Sequence, residues 1–130
     1  MLAAGTFEVK LDPLESALPG GDGIALNRMA IKKEFSGDLV AASSGEMLSA
    51  NTPVADSAGY VALERVDGRL QGRSGSFVLQ HFGVMHGGQN RLVLEVVPDS
   101  GTGELVGLTG SMSLEVTDGS HSYEFVYSID

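Results

Sequence analysis

The sequence predicts an all-β fold, an antiparallel meander closed into a barrel of about eight strands, and three observations predict it. Apolar and polar residues alternate with period two, as in Phe7, Val9 and Leu11 against Thr6, Glu8 and Lys10. The gaps between such runs carry turn chemistry: Ser36-Gly37-Asp38, Asp67-Gly68, Gly87-Gly88, Asp99-Ser100-Gly101 and Asp118-Gly119. No helical period interrupts them, apart from a weak one around Leu14 to Leu18. Strands joined by short turns pair antiparallel. With no helix to cover a face, the sheet buries its apolar side by curling on itself or folding into a sandwich. The plain hairpin order needs no crossover and favours the barrel.

The elements follow in order. The first strand covers residues 6–11, and Pro13, Pro19 and the run Gly20-Gly21-Asp22-Gly23 are expected to end it and to form the one long loop. Further extended runs are expected over residues 28–35, 38–50, 59–70, 74–85, 91–97, 104–108, 110–117 and 121–129. In the last of these His121, Tyr123, Phe125, Tyr127 and Ile129 share one face, opposite Ser122, Glu124, Val126 and Ser128. Such a strand has one wet side. Residues 38–48, 59–66 and 74–85 are apolar on both faces; Phe77, Leu79 and Met85, for example, oppose Val78, Phe82 and Val84. A second copy of the chain is the natural cover for the outer face, so a homo-oligomer through these middle strands is expected.

Composition bounds the function. One domain over residues 1–130, 42% hydrophobic, is large enough to bury a single core and too apolar to be disordered. No apolar run is long enough for a membrane-spanning helix, and no membrane partner is expected. Seventeen acidic against eight basic residues give a net charge of −9, which repels a phosphate backbone and argues against nucleic acid. The start, MLAAGTFEVKL, lacks the pattern of a secretory signal, and there is no cysteine; a soluble, cytoplasmic protein is expected.

Candidate site residues come from the polar groups inside apolar runs. Glu64 shares a face with Tyr60, Ala62 and Val66, and Lys33 with Met29, Ile31 and Phe35, so both point inward if their neighbours do. An inward carboxylate has its pKa raised by desolvation unless a cation such as Lys33 pairs with it, and either state could bind or move a proton. Alternatively Glu64 pairs with charges at an exposed rim. His81 is a candidate lumen residue or a hydrogen-bonded structural one, and Gln80 could line the lumen or the interface between copies. Tyr123 and His121 lie on the cleanest inward face, where aromatic rings also serve as core filler. His81 and His86 are too oddly spaced for a metal pair, and no metal or cofactor is expected. The serines lack a nucleophile elbow, and the glycines of SGTGELVGLTG precede no Lys-Ser/Thr pair and read as turn residues.

The succession GTFEVKL, SGDLVAASSGEML, SAGYVALERVDGRLQGRSGSFVLQH, VVPDSGTGELVGLTG and HSYEFVYSI resembles a bacterial family described as domain of unknown function thirty-two twenty-four, over almost the whole chain. The resemblance implies an allene-oxide-cyclase-like β-barrel, an architecture also seen in dirigent proteins, and oligomers of barrels. It implies no established activity. The plant cyclase holds a lipid epoxide in an apolar lumen with a carboxylate and a cysteine among its functional residues; this chain has no cysteine, and none of its motifs carries a cyclase residue across.

Three readings follow. The protein is a barrel that binds a small apolar or aromatic molecule, lined by Tyr60, Glu64, His81 and Tyr123. Alternatively it is a cyclase- or isomerase-type enzyme in which Glu64 acts as acid or base and Lys33 or His81 tunes it. In the third reading the lumen is filled and the assembly's surface carries a structural or interaction role.

Overall fold

A computed structural model describes all residues, 1–130. Eight strands run β1 (Leu2–Leu14), β2 (Ala25–Gly37), β3 (Leu39–Asn51), β4 (Ala58–Leu70), β5 (Arg73–His86), β6 (Gln89–Val96), β7 (Leu108–Thr117) and β8 (Ser120–Ile129). Each pairs antiparallel with its sequence neighbours, and β1 pairs with β8 to close the barrel. No helix is long and apolar enough to cross a membrane.

Three stretches differ from the sequence-based expectation, the first being Asp67-Gly68, which is not a turn but lies within β4 paired to β3 and β5, the turn falling at Gln71-Gly72 with φ of +46° and +88°. The run expected as a strand over residues 104–108 holds instead a single 3-10 turn, Gly103–Leu105, and β7 starts only at Leu108. Gly103 and Gly107 adopt φ of +59° and +87°, outside extended geometry, so the chain turns and drives Leu105 into the barrel end as a plug. The apolar pattern of Leu105 and Leu108 is therefore that of a loop anchored on the core, and residues 97–107 form a second long connection. β1 also runs through Pro13, which was expected to end it. Beyond Phe7 this strand has lost β8 as a neighbour and pairs only with β2, and a proline lacking its N–H is tolerated on such an edge. The weak helical stretch after it is irregular.

The two ends of the barrel differ. At one end inward side chains close the lumen: Ala3, Leu39, Leu70, Leu105, Leu108 and Tyr127 are all buried in one continuous apolar cluster. Aromatic rings stack through it, Phe77 on Phe125 at 5.8 Å and Phe125 on Tyr127 at 5.2 Å, with Phe35 meeting Tyr123 edge-on. At the other end the inward positions Leu11, Met85, Leu92 and Val116 are 40–67% exposed, and Met29, Met47 and Ser49 are half-buried. The barrel is thus a cup, sealed below and open above.

Outside, the middle strands carry an apolar row. Leu48, Val61, Phe82 and Val93 are successive cross-strand partners on β3, β4, β5 and β6, each 39–50% exposed. A groove of about 910 Å³ on this outer wall is lined by Leu48, Val61 and Leu63, with Gln80 and the Arg28–Glu46 ion pair beside them.

Tyr123 fastens the sealed end. Its hydroxyl donates to the Ser36 carbonyl and accepts from the Leu39 N–H, both at 2.9 Å, at the β2–β3 turn. Burial raises the phenol's pKa, a contact with the Leu39 N–H opposes this, and nearby Asp38 adds to the rise. Tyr123→Phe leaves the Leu39 N–H without its partner, and urea unfolding is expected to show a loss of about 1–3 kcal/mol. An unchanged midpoint would show that this turn does not depend on the phenol.

Candidate functional site

Between the sealed core and the open mouth lies a layer of polar side chains. Period-two geometry turns Lys33 of β2, Ser43 of β3, Glu64 of β4 and His81 of β5 into the lumen, where each is at most 5% exposed. Register brings them together. Lys33 is the partner of Ser43, Ser43 of Val66, and His81 of Ala62, so the four side chains converge from adjacent strands onto the space beside Glu64. Gly45, opposite Glu64, has no room for a side chain, since a Cβ would sit 2.2 Å from the Leu63 carbonyl oxygen.

The Glu64 carboxylate is the centre. Its Oε1 accepts from Lys33 Nζ at 3.1 Å and from His81 Nε2 at 2.8 Å, and its Oε2 accepts from Ser43 Oγ at 2.5 Å. Burial by itself raises the pKa of such a group. Here the His81 hydrogen bond, the Lys33 charge and the Ser43 hydrogen bond together outweigh burial and hold it below the ordinary value. The Lys33 ammonium also lies over the rings of Phe7, at 5.0 Å, and Phe35, at 5.8 Å.

From this centre the network climbs toward the mouth. His81 Nδ1 lies 3.4 Å from the Tyr60 hydroxyl, and the two rings meet edge-on. Tyr60 is half-buried, and its pKa is raised first by burial and then by the Glu64 charge, so it keeps its proton. Its position depends on the residue opposite: a Cβ at Gly83 would fall 2.2 Å from the Tyr60 ring.

Of the residues the sequence singles out, Tyr60, Glu64, His81 and Lys33 form this one network. His121 is half-buried on the mouth side, 5.2 Å from the Phe7 ring that Lys33 covers. Tyr123 belongs to the sealed end and its hydroxyl is engaged with backbone. Gln80 is exposed on the outer wall, away from the lumen. Ser43 and the two phenylalanines were not singled out for this site. Period two places Ser43 inward next to Leu39 and Ala41, a small polar residue beside apolar inward neighbours, and that is the available signal.

With no part of Glu64 exposed and both its oxygens engaged, the carboxylate orients His81 and balances Lys33; the group it presents to the cup is the Tyr60 phenol. No group of three or more His, Cys, Asp or Glu residues is placed to hold a metal ion.

A closed eight-stranded antiparallel barrel with a buried carboxylate network defines the class. Residues 3–127 match the family described as Protein of unknown function (DUF3224), and the chain belongs to that family. A crystal structure of a protein with unknown function from the same family, from Shewanella oneidensis, is similar to it with a TM-score of 0.97 and 54% identity, over 100% of this chain and 98% of that one. No curated protein matches the chain.

Removing the charge of Glu64 strands the Lys33 ammonium in the core. Glu64→Gln is expected to lower unfolding stability by about 3–5 kcal/mol, and the double change Lys33→Met/Glu64→Gln to recover most of that loss. Because the folded-state pKa of Glu64 lies below its unfolded value, its stabilisation is complete above the unfolded pKa and is lost as pH falls through the folded one. Urea midpoints measured across the acid range should therefore fall more steeply in the wild type than in the double variant. Parallel acid profiles would contradict an ionised, paired Glu64.

Proposed function

We propose that the protein is a small-molecule-binding barrel whose ligand enters the open mouth and rests on Tyr60. The observation that carries this reading is the asymmetry of the lumen. Apolar side chains at the sealed end are buried, whereas Leu11, Met85, Leu92 and Val116 point inward yet meet solvent. Inward apolar surface left wet above a fixed polar floor is the usual make-up of a ligand site: an apolar wall supplies the driving force and a few placed polar groups set orientation. Leu92→Glu puts a charge at the mouth, far from the sealed core. The neutral fluorophore phenylnaphthylamine is expected to brighten on the wild type and to bind the variant at least about tenfold more weakly, with the melting temperature little changed. Equal binding to both would remove the mouth as the site.

We further propose that the molecule assembles with its own copies through the outer face of β3–β6. The row Leu48, Val61, Phe82 and Val93 is apolar; of the charges beside it, Arg28 is paired with Glu46 at 2.7 Å and Arg91 lies over the Phe82 ring at 5.6 Å, while Glu95, opposite Gln80, is exposed. Copies of a chain of net charge −9 repel one another, so an apolar row with few free charges is where they meet at least cost. Sedimentation velocity is expected to give an oligomer for the wild type and a monomer for Leu63→Glu. A monomeric wild type would end this proposal.

A further inference from the structure

The hydrogen bonds around Glu64 have a direction, and that direction constrains the ligand. An ionised carboxylate only accepts, so Lys33, Ser43 and His81 all turn protons toward it. Lys33 already balances the single negative charge. A second buried cation on His81 would leave the layer with a net charge, which an apolar surround disfavours, so the imidazole is neutral. Its one proton is on Nε2, committed to Glu64 at 2.8 Å, which leaves Nδ1 as a bare acceptor. The neighbour of Nδ1 is the Tyr60 hydroxyl, which donates its proton there. What remains of Tyr60 on the mouth side is the lone-pair face of its oxygen. The floor of the cup is therefore an acceptor, although Lys33, Ser43, His81 and Tyr60 each carry a donor.

We infer that the cup selects neutral ligands that donate a hydrogen bond to Tyr60, alcohols above all, and discriminates against ketones of the same skeleton. This rests on the reading of the mouth as a ligand site. A ketone offers only acceptors. To bind it, Tyr60 has to swing its proton away from Nδ1, leaving that buried nitrogen unpaired, whereas an alcohol extends the chain of donors in its existing sense. Neutrality follows from the same balance: Glu64 is already matched by Lys33, and a charged ligand would lose its hydration in an apolar mouth without a counter-charge.

Two probes with the same heavy-atom skeleton separate these cases, the ketone acetylnaphthalene and the alcohol naphthylethanol, each titrated calorimetrically into the wild-type protein. The alcohol is expected to bind about tenfold more tightly, the equivalent of one net hydrogen bond. Tyr60→Phe is expected to abolish the difference by weakening the alcohol alone. Gly83→Ala, which pushes the Tyr60 ring from its seat, is expected to do the same with the hydroxyl still present. Equal affinities in the wild type, a preference for the ketone, or a preference for the alcohol that survives in Tyr60→Phe would each overturn the inference while leaving the mouth as a ligand site. Binding of neither probe would overturn the inference and the ligand-site reading together.

Discussion

Burying one carboxylate inside an apolar barrel is the constraint on which the middle of this structure depends. A bare Glu64 with no access to water is among the most costly groups a small core can hold. Three donors from three other strands relieve that cost, and each must reach the carboxylate at hydrogen-bond distance at the same time. The pairing therefore specifies the register of β2 through β5. A slip of one residue in β2, β3 or β5 would turn its donor to the outside and leave the carboxylate short of a partner, and a slip in β4 would turn the carboxylate itself outward. Such a cluster adds specificity more than stability, since well-packed apolar residues of similar volume often serve a core as well.

The same layer separates two halves of the molecule that do different things. Below it, large aromatic and branched side chains fill the lumen, and the Leu105 plug and the Tyr123 hydroxyl close the end. Above it, the inward positions hold Met, Leu and Val but too little bulk to shut out solvent. Tyr60 sits at the boundary. Gly83 gives its ring space, His81 Nδ1 accepts its hydrogen bond, and burial together with the Glu64 charge keeps the phenol protonated. A fixed polar floor under an apolar mouth is a pre-organised site, in which the orientation of the contact group is settled before a ligand arrives.

Much of this could be read from the chain, because period two is a geometric rule. The all-β class, the hairpin order and the closure into a barrel follow from alternation and turn residues, whereas alternation put Glu64 and Lys33 inward only if their apolar neighbours were and left an exposed rim open for Glu64. The orientation of Gln80 did not, since Val78 and Phe82 on its own face are as apolar as Leu79 and Phe77 on the other, and only the register with β4 and β6 decides between them. Leu105 and Leu108 read as a strand because burial in a loop leaves the same apolar spacing; the positive φ of Gly103 and Gly107 is invisible to a pattern of hydropathy. The openness of one end was also hidden, since inward Leu, Met and Val alternate at the mouth as regularly as in the core, and only their exposure in the folded barrel and the Leu105 plug distinguish the two ends.

The central claim is that an ionised Glu64 orders the lumen by holding Lys33 and His81 in defined proton states. Imidazole nitrogen NMR on the intact protein at neutral pH addresses it directly, because the two ring nitrogens shift in opposite directions with tautomer. The account predicts for His81 a proton on Nε2 and a bare, acceptor-type Nδ1, with both signals altered in Glu64→Gln. A His81 ring protonated on Nδ1, or on both nitrogens, would contradict it.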